Sequence, residues 1–325
     1  METDPSPTTD SRLHWFHPTP ARLLIVLLVA EGILLLSQPW MPKGYAVLTA
    51  IAAVGVTMVL MLIWWLAALL FHWRFQFSLR SLLVATVVVA IPFSWLAVEM
   101  KRARRQREVV AAIEKLGGSV RYDYVFTPPF CFEMPGPVWL RKLVGDDFFA
   151  NVEGVRSYEM SEADIALPYL RELPRLWELD LSHTQVTDAG LERLKGLTQL
   201  RWLSLANTHV TDAGLRHLMG LTHLEQLYLS DTQVTDGGLQ HLKGLTQLYL
   251  LWLDDTHVTD AGLEHLKELI QLLNVRFDNT QVTDAGLKSL KGLNQLQSLS
   301  LHGTHVTDEG VQELQQALPN CKSER

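Results

Sequence analysis

Along residues 155–325 the apolar positions of this chain fall on a fixed grid. One unit, "LRWLSLANTHVTDAGLRHLMG" at residues 200–220, has Leu200, Leu203, Leu205, Val210, Leu215 and Leu218 as its apolar set, and Leu221 opens the next unit. The Leu203-x-Leu205 pair alternates with period two, which predicts a short strand with one buried face. Leu215, Leu218 and Leu221 recur every third residue, which predicts a short helix packed on that strand. The stretch "THVTDAGL" or a close copy begins at Thr184, Thr208, Thr232, Thr256, Thr280 and Thr304, a spacing of 24 residues. A weaker unit precedes them, with Leu167, Leu170, Leu173, Leu176, Leu179 and Leu181 in the same register. Self-similarity at such a period marks a solenoid, in which each unit buries its apolar face against the next.

The front of the chain follows another pattern. After a polar tail at residues 1–22 come three apolar runs, residues 23–40, 45–71 and 81–98, the second uncharged over 27 residues and the third over 18. A spanning helix needs about 20 apolar residues, so residues 23–98 are expected to form two to three transmembrane helices, with Pro92 tolerated inside the last. Trp40, Trp64, Trp65, Trp73 and Trp95 lie near run ends, where indoles favour the headgroup zone. Glu31 interrupts the first run, either as a proton or substrate site or as a carboxyl that stays protonated, pairs between helices, or marks a run lying partly outside the bilayer. Directly after the last run, "KRARRQR" gathers Lys101, Arg102, Arg104, Arg105 and Arg107. Basic flanks stay on the cytoplasmic side, which is where the repeats are then expected.

Residues 99–154 read as a basic linker with capping units for the solenoid at 155–325. "REVVAAIEKLGG" predicts a helix with Val109, Ala112, Ile113 and Leu116 on one face, closed by Gly117-Gly118. "SVRYDYVF" alternates like a strand, "TPPFCFEMPGP" reads as a Pro-rich loop, and "VWLRKLVGDDFF" reads as helical again.

Inside each repeat, the threonine and aspartate of "TD" are residue types that cap helix N-termini. Asp188, Asp212, Asp236, Asp260, Asp284 and Asp308 invite a calcium reading, but hard cations need several oxygens converging on one point, and one carboxylate per coil at a helix start is better explained by capping. Gly190, Gly214, Gly238, Gly262, Gly286 and Gly310 sit near the helix starts. Glycine there costs about 1 kcal/mol against alanine, so close approach of adjacent coils is expected. Gly196, Gly220, Gly244 and Gly292 stand where the helix must turn back, a place that favours left-handed backbone. His217, His241 and His265 form a helix-side column, read as solvated, since a metal needs its ligands converging within about 2 Å.

The pattern Leu200-x-x-Leu203-x-Leu205-x-x-Thr208-x-Val210 resembles the leucine-rich repeat, with threonine where that family has Asn or Cys. In the family that side chain bonds backbone groups of neighbouring coils, and the resemblance implies a threonine ladder doing similar work. The segments "RFQFSLRSLL", "RARRQREVVAAIEKLGGSVRYDY" and "GDDFF", the repeats and "ALPNCK" make the chain similar to bacterial membrane-anchored leucine-rich-repeat proteins. That likeness implies an α/β leucine-rich-repeat solenoid, a horseshoe of short parallel strands with helices outside, behind an all-α transmembrane region. It implies no activity.

Charge and local chemistry narrow the function. Residues 1–107 carry a net charge of +5 and residues 108–325 a net charge of −12. An acidic rear argues against nucleic acid as a partner, since phosphate neutralisation needs a basic face. Cys131 and Cys321 have no paired spacing, so neither a disulfide framework nor a zinc site is indicated. No phosphate-cradling glycine loop, H-E-x-x-H, G-x-S-x-G or C-x-x-C is present. Neither an enzyme nor a small-molecule cofactor is expected.

In such a horseshoe the strand residues between the leucines face the concave side, and there the repeats diverge. Trp202, Tyr228, Leu250, Trp252 and Arg276 are expected to be neighbours across coils about 5 Å apart, with Asp254 and Asp278 beside them. Trp, Tyr and Arg dominate interface energetics. These seven residues are the candidate contacts for a protein partner of a membrane-tethered interaction scaffold or receptor-like module, the bilayer being its second partner. Two other readings are a transport or signal-transducing protein with the repeats as sensor, and an F-box-like adaptor that recruits substrates. No F-box segment is recognisable, and the apolar runs count against the adaptor.

Overall fold

The computed structural model of the chain describes residues 79–123, 125–127, 131–133, 138–157 and 167–325, with Gly55 and Val59 singly. In chain order, α1 (Leu79–Lys115) is followed by β1 (Ser119–Tyr122), β2 (Val125–Thr127), β3 (Cys131–Glu133), α2 (Val138–Val144) and β4 (Val152–Arg156). Two compact units result: residues 1–102 with 125–149, and residues 103–124 with 150–325. In the first, β2 and β3 pair antiparallel, so the stretch read as a Pro-rich loop contains a strand. Glu31 and the first apolar run lie outside the described residues, as does the second run except for Gly55 and Val59. The third run falls in α1, with most of its side chains outside them. Among the described residues no helix is long and apolar enough to cross a membrane.

The second unit is the solenoid. Its strands continue as β5 (Glu178–Asp180), β6 (Trp202–Ser204), β7 (Gln226–Tyr228), β8 (Leu250–Trp252), β9 (Asn274–Arg276), β10 (Ser298–Ser300) and β11 (Lys322–Glu324). Between them lie α3 (Asp188–Leu191), α4 (Asp212–Leu215), α5 (Asp236–Leu239), α6 (Asp260–Leu263), α7 (Asp284–Leu290) and α8 (Asp308–Ala317). The sheet runs β1-β4-β5-β6-β7-β8-β9-β10-β11. Only β1 is antiparallel to its neighbour; the parallel strands keep strict register, Leu203 opposite Leu227 and Leu251 opposite Val275.

The grid leucines form one continuous core. Leu200, Leu203, Leu205, Val210, Leu215 and Leu218 are each fully buried, and a buried Leu or Val contributes about 1.5–3 kcal/mol. At its first end the core is closed by the last turns of α1, where Val109, Val110 and Ile113 are buried and Gln106 donates to the Ala150 carbonyl at 2.8 Å. The helix ends at Lys115, and Gly117 follows at φ 90°.

Three features of the turns depart from the sequence reading. The aspartates do not cap their own helices; Thr211, Thr235, Thr259, Thr283 and Thr307 do, as where Thr211 accepts from the Ala213 N–H at 3.2 Å. Asp188, Asp212, Asp236, Asp260 and Asp284 reach the next coil instead, while Asp308 in the last coil meets Arg325. Thr211, Thr235, Thr259, Thr283 and Thr307 donate their N–H at 2.7–2.9 Å and their Oγ–H at 2.5–2.7 Å to the aspartate 23 residues earlier. The helix-start glycines make room for this staple: a Cβ on Gly238 would stand 2.5 Å from the Asp212 carboxylate.

The second departure is the threonine ladder. Thr208, Thr232, Thr256 and Thr280 donate to the carbonyl three residues back in their own coil, at 2.6–2.7 Å, and not to a neighbouring coil. A short hydroxyl bonds the local turn more readily than it reaches across. The third is where left-handed backbone occurs. Of the turn-back glycines only Gly196 has positive φ, at 100°. The recurrent left-handed column lies after the strands, at His183, Asn207, Asp231, Asp255 and Asn279, with φ of 54–58°. Asn and Asp adopt this conformation more readily than other non-glycine residues.

Candidate binding face

Three neighbouring strands each contribute one ring to the same face of the sheet, the one expected to be concave. Trp202 of β6, Tyr228 of β7 and Trp252 of β8 are all partly exposed. The Trp202 and Tyr228 rings are 5.1 Å apart and tilted by 46°. Tyr228 meets Trp252 edge to face at 4.8 Å. Arg276 of β9 completes the ladder, its guanidinium carbon 4.6 Å from the Trp252 ring centre. Strand register explains the order, because Tyr228, Trp252 and Arg276 lie opposite one another on consecutive strands.

Polar bonds fix the rings in place. Trp252 Nε1–H donates to Asn274 Oδ1 at 3.2 Å, and the Tyr228 hydroxyl donates to Gln226 Oε1 at 2.9 Å. Partial burial raises the Tyr228 phenol above its ordinary pKa. Leu250 is half-buried in the column of Gln226 and Asn274.

Asp254 and Asp278, taken from sequence as partner contacts, are 6% and 8% exposed and so lie beneath the surface. Asp254 pairs with Arg276 Nε at 3.1 Å and accepts from the Asp278 N–H at 3.0 Å. Asp278 accepts from Arg276 Nη2 at 2.8 Å, the Ser300 hydroxyl at 2.6 Å and the His302 N–H at 2.9 Å. Burial pushes the Asp254 carboxyl up. Burial acts the same way on Asp278, but the Ser300 hydroxyl, the His302 N–H and Arg276 outweigh it and hold that carboxyl below its usual range. The two acids hold Arg276 against Trp252.

Sequence reasoning missed Tyr249, whose hydroxyl accepts from Gln226 Nε2 next to the ladder. Its signal was one position upstream of the first concave column, in the set Trp177, Arg201, Glu225, Tyr249, Leu273 and Gln297 at the same spacing. Trp177 carries a second guanidinium, Arg121 at 4.6 Å, which pairs with buried Glu178 at 2.6 Å. On the helix side, His217 is buried rather than solvated, and burial, Lys195 and Arg216 lower its pKa. Among the described residues no group of three or more His, Cys, Asp or Glu side chains is placed to hold a metal ion.

A solenoid of 24-residue coils with a leucine core and a parallel concave sheet is the architecture of a leucine-rich-repeat protein. The family profile for a leucine-rich repeat region matches residues 154–323, just over half of the 325 residues, and the chain belongs to that family. No curated protein matches it. Among solved structures it is similar to an internalin C2 of Listeria monocytogenes, at 26% identity over 53% of this chain and 70% of that one, with a TM-score of 0.44. A leucine-rich-repeat protein of Leptospira interrogans matches at 22% identity over 48% of this chain and 39% of that one, TM-score 0.39. A second Listeria monocytogenes internalin matches at 22% over 49% and 56%, TM-score 0.33. The chain thus spans less than two thirds of the latter two proteins.

Proposed function

We propose that the chain is a membrane-tethered recognition module that captures a protein partner on its concave face. The observation that carries the recognition is the Trp202–Tyr228–Trp252–Arg276 ladder. Three rings and a guanidinium, partly exposed and held in place from below, concentrate the residue types that dominate interface energetics. Their rigidity lowers the entropy lost on docking. Stacked rings over a buried ion pair suit binding rather than catalysis. The tether rests on the apolar runs within residues 23–98, and the cytoplasmic placement of the repeats on the basic cluster at residues 101–107.

The test of recognition is capture by the full chain, tagged and extracted in mild detergent, with partners identified by mass spectrometry. Trp202→Ala with Trp252→Ala should lose partners that the unaltered chain retains; retention of every partner would remove the site. Sidedness needs an accessible reporter. Cys321 is buried, which raises its thiol pKa and makes it a poor one. Gln316→Cys, at an exposed position of α8, in a chain with both native cysteines changed to serine, should resist an impermeant thiol reagent until cells are lysed. Labelling of intact cells would put the repeats on the outer face.

A further inference from the structure

We infer that the partner docks through a basic segment, whose Arg or Lys side chains take the free ring face of Trp202 and the carboxylates of Asp231 and Asp255. This rests on the concave-face reading above and adds the chemistry of what binds there.

Two tryptophans along the sheet already carry a cation. At one end of the sheet Arg121 lies 4.6 Å over Trp177 and pairs with Glu178; further along, Arg276 lies 4.6 Å over Trp252 and pairs with Asp254. Each is an indole face, a guanidinium and a carboxylate. Trp202 stands between these two, touching Tyr228 on one side, and among the described residues no cation lies over it. It has the ring without the guanidinium.

Opposite Trp202 on the preceding strand, Glu178 is already paired with Arg121 and Arg156; the surplus of negative charge lies further along the following coils, within reach of an extended segment rather than of one side chain. In the four strand-and-turn stretches 201–207, 225–231, 249–255 and 273–279, five carboxylates stand against two guanidiniums, leaving three negative charges in excess. Glu225 is taken by Arg201 at 3.2 Å, and Asp254 and Asp278 share Arg276. Asp231 and Asp255 remain. Both are exposed in the left-handed turns that leave β7 and β8, and among the described residues neither pairs with a cation, although Asp255 accepts from the Asn279 side-chain amide at 2.9 Å. They line a groove of about 450 Å³ along these turns, together with Asn207, His209 and His257. A cation held over an indole is attracted by the ring quadrupole, and surplus carboxylates steer basic partners and reject acidic ones.

The probe is a fluorescein-labelled octa-arginine peptide, with octa-glutamate as its counterpart, titrated against the full chain in lipid nanodiscs by fluorescence anisotropy. Octa-arginine should bind and octa-glutamate should not. Trp202→Leu, which keeps an apolar side chain but removes the ring, should weaken binding roughly tenfold, and Asp231→Asn with Asp255→Asn should do likewise. Glu268→Gln with Glu309→Gln removes the same charge from other exposed positions and should change nothing. The inference fails if both neutralised pairs weaken binding equally, if Trp202→Leu has no effect, or if octa-glutamate binds as well. Should octa-arginine be indifferent to the ladder while Trp202→Ala with Trp252→Ala still loses captured proteins, the basic segment falls and the concave-face reading stands.

Discussion

Each coil carries a strand that faces the hollow of the solenoid and a turn that begins the outer helix, and the two are written differently in the sequence. The turn is copied: threonine, aspartate and glycine return at 211, 212 and 214, at 235, 236 and 238, and at 259, 260 and 262. The strand positions of the hollow are not; Trp202 is followed across the coils by Gln226, Leu250, Asn274 and Ser298. The structure supplies the reason. A turn aspartate bonds the threonine of the next coil, which bonds its own aspartate's successor in turn, so a change at one coil breaks the fit with its neighbour. A hollow-facing side chain meets a different group on each side, and nothing forces it to repeat. Repetition at the aspartate and threonine of the turn therefore marks bonds between coils, and its loss in the strands marks positions that no common bond constrains.

The sharpest way to break this contrast is to remove one staple. Asp236→Ala leaves the Thr259 N–H and hydroxyl without their charged acceptor. Hydrogen bonds to charged groups contribute about 1.5–3 kcal/mol each, with partial solvation lowering that here, so a loss of about 2–3 kcal/mol is expected in urea unfolding. Hydrogen exchange at the Thr259 amide should quicken most, with coils further away less affected. Uniform loss of protection along the solenoid would show that the staple is not a local joint.

The hollow should respond through pH. Asp278→Asn keeps the shape but weakens the hold on Arg276, at a cost of about 1–2 kcal/mol near neutrality. The folded-state pKa of Asp278 is depressed, so its stabilisation is present above the unfolded value of about 3.9 and is lost as pH falls through the folded one. The stability gap between the two chains should therefore narrow below about pH 4. A gap that stays constant to pH 2.5 would mean that charge plays no part in holding the guanidinium on Trp252.

What could be read from sequence divides along the same line. Leucine periodicity revealed the core, and aligning columns at 24 residues revealed Trp202, Tyr228, Trp252 and Arg276 as neighbours, because strand register follows directly from the repeat. Residue type did not reveal partner. Aspartate at a helix start looks like a cap, and only the geometry shows it bonding the coil ahead. Asp254 and Asp278 sit in a hollow-facing column, yet the bulk of Arg276 and its neighbours covers them. The left-handed turns were visible as His183, Asn207, Asp231, Asp255, Asn279 and Gly303, mostly types that tolerate that backbone, but the glycines one turn later drew attention instead.

Those glycines give the smallest effect and the cleanest comparison. Gly196 and Gly220 occupy the same place in successive coils, and a Cβ at either would meet nothing within 4 Å. They differ in one respect: Gly196 has φ 100° and Gly220 does not have positive φ. At Gly220 an alanine is free of strain and restricts the unfolded chain, which stabilises by about 0.4–1 kcal/mol. At Gly196 the left-handed backbone penalises any Cβ by about 1–2 kcal/mol, which outweighs the same entropic gain. Gly220→Ala should therefore raise the melting temperature and Gly196→Ala lower it, each by about 1–4 °C for a solenoid of this size. Shifts of the same sign would mean that the backbone at these two turns is alike in solution, and that the glycine is retained there for a reason other than its φ.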